Sequence, residues 1–148
     1  MKRFTFKFER LRKLREREEE ACLLRLALAQ TDLAREQKAM AALAEELEQA
    51  GLVLAEMVRT AAPAPLLRNA DAFRRAVSAA AARQHENLLR AEKNLAEKQE
   101  EFRRAHRKAE CIRRLQERRR LEHRALCLRE EQRHLDEVGG RTRHPAGA

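Results

Sequence analysis

The sequence predicts an all-α protein, a long two-helix antiparallel coiled-coil hairpin, and three observations carry that prediction. Between Arg3 and Arg143 the only prolines are Pro63 and Pro65, and the only glycines are Gly51 and the pair Gly139-Gly140. Proline lacks a backbone donor and clashes with the preceding helical turn. Its clustering therefore marks one interruption in a chain otherwise dominated by Ala, Leu, Glu, Arg and Lys. Apolar residues recur at heptad spacing on both sides of that interruption. Finally, the 148 residues are 39% charged and 3% aromatic, with no Trp or Tyr, which leaves one thin seam as the core.

Helix one is expected over about residues 6–59. Leu33, Met40, Leu47 and Leu54 form one row of its seam, and Glu36, Leu43, Ala50 and Met57 form the second row three residues on, with Glu36 the polar exception. Nearer the start the apolar positions step to Phe4, Phe8 and Leu11. Gly51 costs about 1 kcal/mol in a helix interior, which a long seam absorbs.

The bend is expected across about residues 60–69, with Asn69 or Asp71 capping helix two over about residues 70–138. In helix two Leu88, Leu95, Phe102 and Ala109 make one row, and Ala91, Lys98, Ala105 and Ile112 its mate, extended back through Val77, Ala81 and Gln84. After Leu115 the apolar positions shift to Leu121, Ala125, Leu128, Gln132, Leu135 and Val138, a discontinuity that locally unwinds a supercoil. Gly139-Gly140 reads as the stop before a flexible tail, 139–148. Folding at the bend brings the N-terminal phenylalanines toward residues 120–128, in a single coiled-coil domain. A short connection between comparable helices favours pairing within one chain over a homodimer through the Leu33 to Met57 seam, because closing it costs little entropy. The free protein is accordingly expected to be a monomer.

Several function classes fall away. Ser78 is the only serine, and no nucleophile with a base or phosphate-cradling glycine loop is present, so the chain reads as a non-enzyme without a cofactor or small-molecule substrate. Glu131 and His134 have the Glu-x-x-His spacing of helical di-iron sites, but the motif occurs once where such sites need two, and it reads as a solvated face. Cys22, Cys111 and Cys127 show no Cys-x-x-Cys spacing and read as small apolar residues. The apolar stretches fall far short of the ~20 residues that span a bilayer, and the basic start is followed by charge, which points to the cytoplasm.

Charge is uneven. Residues 1–60 hold 12 basic and 11 acidic groups, whereas 61–148 hold 21 and 13. Ten Arg and Lys against three Glu lie between Arg103 and Arg124, a block that includes Arg118, Arg119 and Arg120. Such a block binds phosphates through counterion release, steers docking to an acidic protein surface, or is a solvated face. Specific nucleic-acid readout is not expected, because aromatic platforms and reading loops are lacking. Phe4, Phe6 and Phe8 are three of the five aromatics in the chain. Phe4 and Phe8 either close the hairpin against Leu121 and Leu128 or bind a partner, and Phe6 is expected to face away from them.

The two termini resemble the FliJ family of the flagellar type III export apparatus. The N-terminal pattern is Phe4-x-Phe6-x-Phe8-Glu9-Arg10-Leu11-x-x-Leu14-Arg15-x-Arg17-Glu18. The C-terminal pattern is Leu115-x-Glu117-Arg118-Arg119, then Glu130-Glu131-x-x-x-Leu135-Asp136-Glu137. The resemblance implies a non-enzymatic shaft that docks its termini in the hexameric export ATPase ring and promotes its activity. The other end would reach the membrane export gate, and export chaperones would be further partners, at the cytoplasmic face of the inner membrane. Carried over by position, Phe4, Phe8 and Leu11 with Arg118, Arg119, Leu135, Asp136 and Glu137 form the ring-docking end. Phe6 and Arg120 join them from the aromatic cluster and the basic block. A basic nucleic-acid-binding coiled coil and a structural homodimer are the alternatives.

Overall fold

The computed structural model describes residues 3–142. Two helices, α1 (Glu9–Arg59) and α2 (Ala64–Thr142), account for nearly all of them, and no strand occurs among the described residues. Contacts divide the hairpin into two units, a terminal unit (Met1–Glu20 with Arg104–Ala148) and a turn unit (Ala21–Arg103).

In the turn unit the heptad rows of both helices face inward. Ala50 and Val77 are buried, Leu33, Met40, Leu47, Leu54, Leu88 and Leu95 are half-buried, and Gln37, Lys38, Glu45, Glu46, Glu92 and Lys93 on the outer faces are exposed. The fully enclosed positions are small, Ala29, Ala50, Val77 and Ala81, so the helices approach closely and large side chains lie along the seam edges rather than in a thick core. Glu36, the one polar member of its row, is explained by Gln84. The Gln84 amide donates to the Glu36 carboxylate at 2.6 Å and to its backbone carbonyl at 3.2 Å. Arg25 pairs with Glu101 at 3.5 Å farther along the same seam. Because Glu36 faces Gln84 and the earlier Arg25 faces the later Glu101, the helices run antiparallel, and the Leu33 to Met57 seam is occupied within the chain.

The bend is tighter than the sequence predicts. Only Thr60 to Pro63 separate the helices, and α2 begins at Ala64 rather than near residue 70. The Ala62 amide donates to the Met57 carbonyl at 2.9 Å and the Ala61 amide to the Val58 carbonyl at 3.2 Å. This is a Schellman closure with Ala61 in the left-handed region at φ 51°. Pro63 then supplies the first carbonyl of α2, accepting from Leu66 and Leu67 at 3.0 and 3.2 Å. Pro65 sits in the first turn, where its missing donor would have had no intrahelical acceptor. The expected caps play other roles: Asp71 lies inside the helix and pairs with Arg75 at 2.6 Å and Arg74 at 3.3 Å. At the far end α2 continues through Gly139-Gly140 to Thr142, so that pair is not its stop; the rest of the expected tail, 143–148, lies outside the described residues.

In the terminal unit Ala105 and Ala109 are buried, and Ile112, Leu115 and Gln116 continue the seam half-buried. Residues 3–6 are non-helical, and the Phe8 carbonyl accepts from Arg12 at 2.9 Å to open α1 just after it, a little later than the residue 6 expected. Arg12 forks between Glu9 and Glu16, each at 2.6 Å, which locks the first turns.

Candidate partner-binding surfaces

All ten residues marked by the sequence for partner binding fall in the terminal unit, on three different surfaces. Phe4 is half-buried, its ring tilted at 59° over the His123 ring with centroids 5.5 Å apart. It therefore meets the segment expected, but through His123 and not through Leu121 or Leu128. Phe6 does not stand apart as expected: it is half-buried and packs edge-on against Phe8 at 5.9 Å. Phe8 is the more open ring at 42% exposure, with the Lys7 ammonium 6.0 Å from its centroid. Leu11 is half-buried in the first turns of α1.

Arg118, Arg119 and Arg120 are exposed on α2. Arg119 reaches Glu122 at 3.0 Å and Arg118 approaches it at 4.0 Å, pairs that cost little to exchange for partner carboxylates. A shallow groove beside them is lined by Arg107, Glu110, Cys111, Arg114, Leu115 and Arg118, where three arginines outnumber the one carboxylate. Leu135, Asp136 and Glu137 lie exposed on the last turns, where Asp136 accepts from Gln132 at 3.0 Å.

The apolar shift after Leu115 is present, but it does not continue the contact with α1. His123 and Cys127 are the half-buried positions, whereas Leu121, Ala125, Leu128, Gln132, Leu135 and Val138 are all exposed. The helix thus carries two faces here, a narrow one met by Phe4 and a leucine-rich one that α1 leaves uncovered.

Two features escaped sequence reasoning. The first is an interhelical cluster around Glu19, which accepts from Arg113 and lies 2.6 Å from Nδ1 of His106. Burial works against its charge, but the hydrogen bonds from His106 and Arg113, with the Arg113 charge, outweigh it and hold the carboxyl below its ordinary range. The bond to Glu19 likewise raises Arg113. Nothing in heptad spacing marks Glu19 apart from its neighbours Glu18 and Glu20. The second is an apolar groove in the turn unit beside the bend, formed by Val53, Met57, Leu66, Ala70 and Phe73. Phe73 is 52% exposed and Leu66 50%. Its signal was available as large apolar residues lying off the heptad rows near a bend.

Among the described residues no group of three potential metal ligands gathers, and no helix is long and apolar enough to cross a membrane. The fold and these surfaces define a helical hairpin of coiled-coil type whose chemistry lies in exposed faces and open grooves. A family description, "Flagellar FliJ protein", matches residues 4–145, and the chain belongs to the FliJ family. It is therefore a flagellar protein associated with export, in a family of non-enzymatic export components. No significant match was found among curated proteins or among solved structures.

Proposed function

We propose that the chain is a shaft of the flagellar export apparatus, docking its terminal unit in the hexameric export ATPase ring and promoting ATP turnover without chemistry of its own. The observation that carries this reading is the end of α2. There Leu121, Leu128 and Leu135 stand uncovered beside exposed Arg118, Arg119 and Arg120, in the unit that also holds the Phe4, Phe6 and Phe8 cluster. An uncovered apolar stripe with a basic flank suits a lumen lined by apolar and acidic groups. A stalk changes a ring's turnover only by contacting its conformations unequally, so the stripe and the arginines are the elements expected to discriminate among them.

At the bend the groove around Phe73 is the surface proposed for the export gate. Export chaperones would share the exposed faces of the turn unit, and the protein would work at the cytoplasmic face of the inner membrane. The test is ATP hydrolysis by the cognate export ATPase with and without the chain, alongside a pull-down of the two. Stimulation is expected for the wild type and a clear loss for the Arg118→Ala, Arg119→Ala, Arg120→Ala triple variant. Equal stimulation by that variant would remove the basic stripe from the mechanism, and absence of both binding and stimulation would end the docking reading.

A further inference from the structure

We propose that the uncovered face at the end of α2 is closed by a second copy of the same face, in an antiparallel two-helix contact. The seam has the spacing of a coiled coil. Leu121, Leu128 and Leu135 occupy one heptad row, and Arg118, Ala125 and Gln132 occupy its mate. Leu121, Leu128 and Leu135 are 56%, 58% and 63% exposed, and Phe4 covers the other side of the helix at His123. An isologous contact requires the surface to be complementary to itself, and this one is.

In an antiparallel pairing each row packs against the mate row of the other copy. Leu128 then meets Ala125 of the second copy, Leu121 meets Gln132, and the Arg118 stem lies over Leu135. That register fixes the flanking positions. Arg124 falls opposite Glu131 of the second copy on one side of the seam, and Glu122 falls opposite Arg129 on the other. Both are attractive, and two-fold symmetry repeats each of them. A parallel pairing of the same seam sets Glu117 against Glu122, Arg124 against Arg129, and Glu131 against Asp136, which are three like-charge contacts on each side. The charges thus select the antiparallel partner and reject the parallel one.

The contact is short, with two central Leu–Ala layers flanked by Leu121–Gln132 and Arg118–Leu135. It belongs among small, reversible interfaces and is populated at high protein concentration. Glu122 now pairs within its own helix with Arg119, an exposed pair that gives way at little cost. The free chain is then a reversible dimer rather than the monomer expected of a hairpin closed within one chain. Because the face includes Arg118 and Leu135, dimerisation would also compete with docking in a ring, a consequence that rests on the function proposed above. The dimer itself does not.

Sedimentation equilibrium of the full-length chain alone, over a hundredfold range of concentration, tests the contact independently of any ATPase. Mass is expected to rise from one chain toward two, and Leu128→Glu is expected to hold it at one with unchanged far-ultraviolet circular dichroism. Arg124→Glu and Glu131→Arg, each of which replaces two attractive contacts by two repulsive ones, should each weaken the dimer by about tenfold. The double swap should return it to within about threefold of wild type. A constant monomer mass, or a dimer indifferent to Leu128→Glu, overturns the contact. A dimer strengthened by Arg124→Glu, or not recovered by the double swap, overturns the antiparallel register.

Discussion

The carboxylate of Glu19 on α1 lies 2.6 Å from Nδ1 of His106 on α2 and also accepts from Arg113, two turns farther along the same helix. One acidic side chain, 14% exposed, is thereby clamped from two positions on the opposite helix. Among the flanking charges of the terminal unit it sets register, because sliding α2 by a turn would leave a partly enclosed carboxylate without its donors.

That arrangement predicts a pH-dependent contribution. The folded-state pKa of Glu19 is depressed below its ordinary value of 4.5, so its stabilisation is fully present above that value. It is lost as pH falls through the folded-state value, where the carboxylate becomes protonated. Glu19→Gln should cost about 1 kcal/mol near neutral pH, a figure held down by the exposure of the Arg113 partner. Urea unfolding curves of wild type and variant should converge below the ordinary carboxylate range, and a difference that persists there would show that packing, not charge, is lost.

Ala61 closes α1 with a positive φ of 51°, a conformation that costs an L-residue about 1 kcal/mol or more. Ala61→Gly should therefore raise stability by about 0.5–1 kcal/mol after the added freedom of the unfolded chain is set against it. Thermal unfolding followed at 222 nm measures this directly, and a lower midpoint would mean that the Schellman closure is not the conformation held in solution.

Gly51 makes the opposite case. It lies inside α1, and a Cβ built there meets nothing within 4 Å. Gly51→Ala should stabilise the helix by about 1 kcal/mol. Denaturant midpoints of the full chain provide the check, with a destabilised variant pointing to close packing by another molecule at that position.

The groove beside the bend leads to a binding prediction. Phe73 and Leu66 are half exposed, so replacing Phe73 by alanine removes about half of a full side-chain burial and should cost about 1–2 kcal/mol, which leaves the hairpin folded. If the groove receives the export gate, the same substitution should weaken capture of the gate's soluble portion by at least tenfold, the loss expected for a central aromatic anchor. Unaltered capture by the folded variant would remove the groove from the gate interface.

The heptad rows were legible because they follow from spacing alone. Leu33 to Met57 and Leu88 to Ile112 face inward as read, and Gln84 accounts for the polar exception at Glu36. The bend is shorter than expected because proline inside an apolar segment argues against helix, whereas Pro65 falls where a helix does not need its donor. A glycine would have announced the left-handed closure, but Ala61 occupies it. The end of α2 misled for a different reason. Two faces compete there, and spacing selects the richer apolar one, while Phe4 lies against the poorer one at His123. The Glu19 cluster depended on partners distant in sequence, which one-dimensional spacing does not reveal.

With only Thr60 to Pro63 joining the helices, each of these four residues is committed to ending one helix or starting the next. The bend consequently acts as an angular key. One residue added inside α2 just after it turns everything downstream by about 100°, carrying the buried alanines out of the seam, whereas seven added residues restore the angle to within about 20° and merely shift the pairing lengthwise. Length in this hairpin is therefore quantised: it can be lengthened or shortened by whole heptads in both arms together, and single-residue changes near the bend are the ones that scramble which face each downstream surface presents.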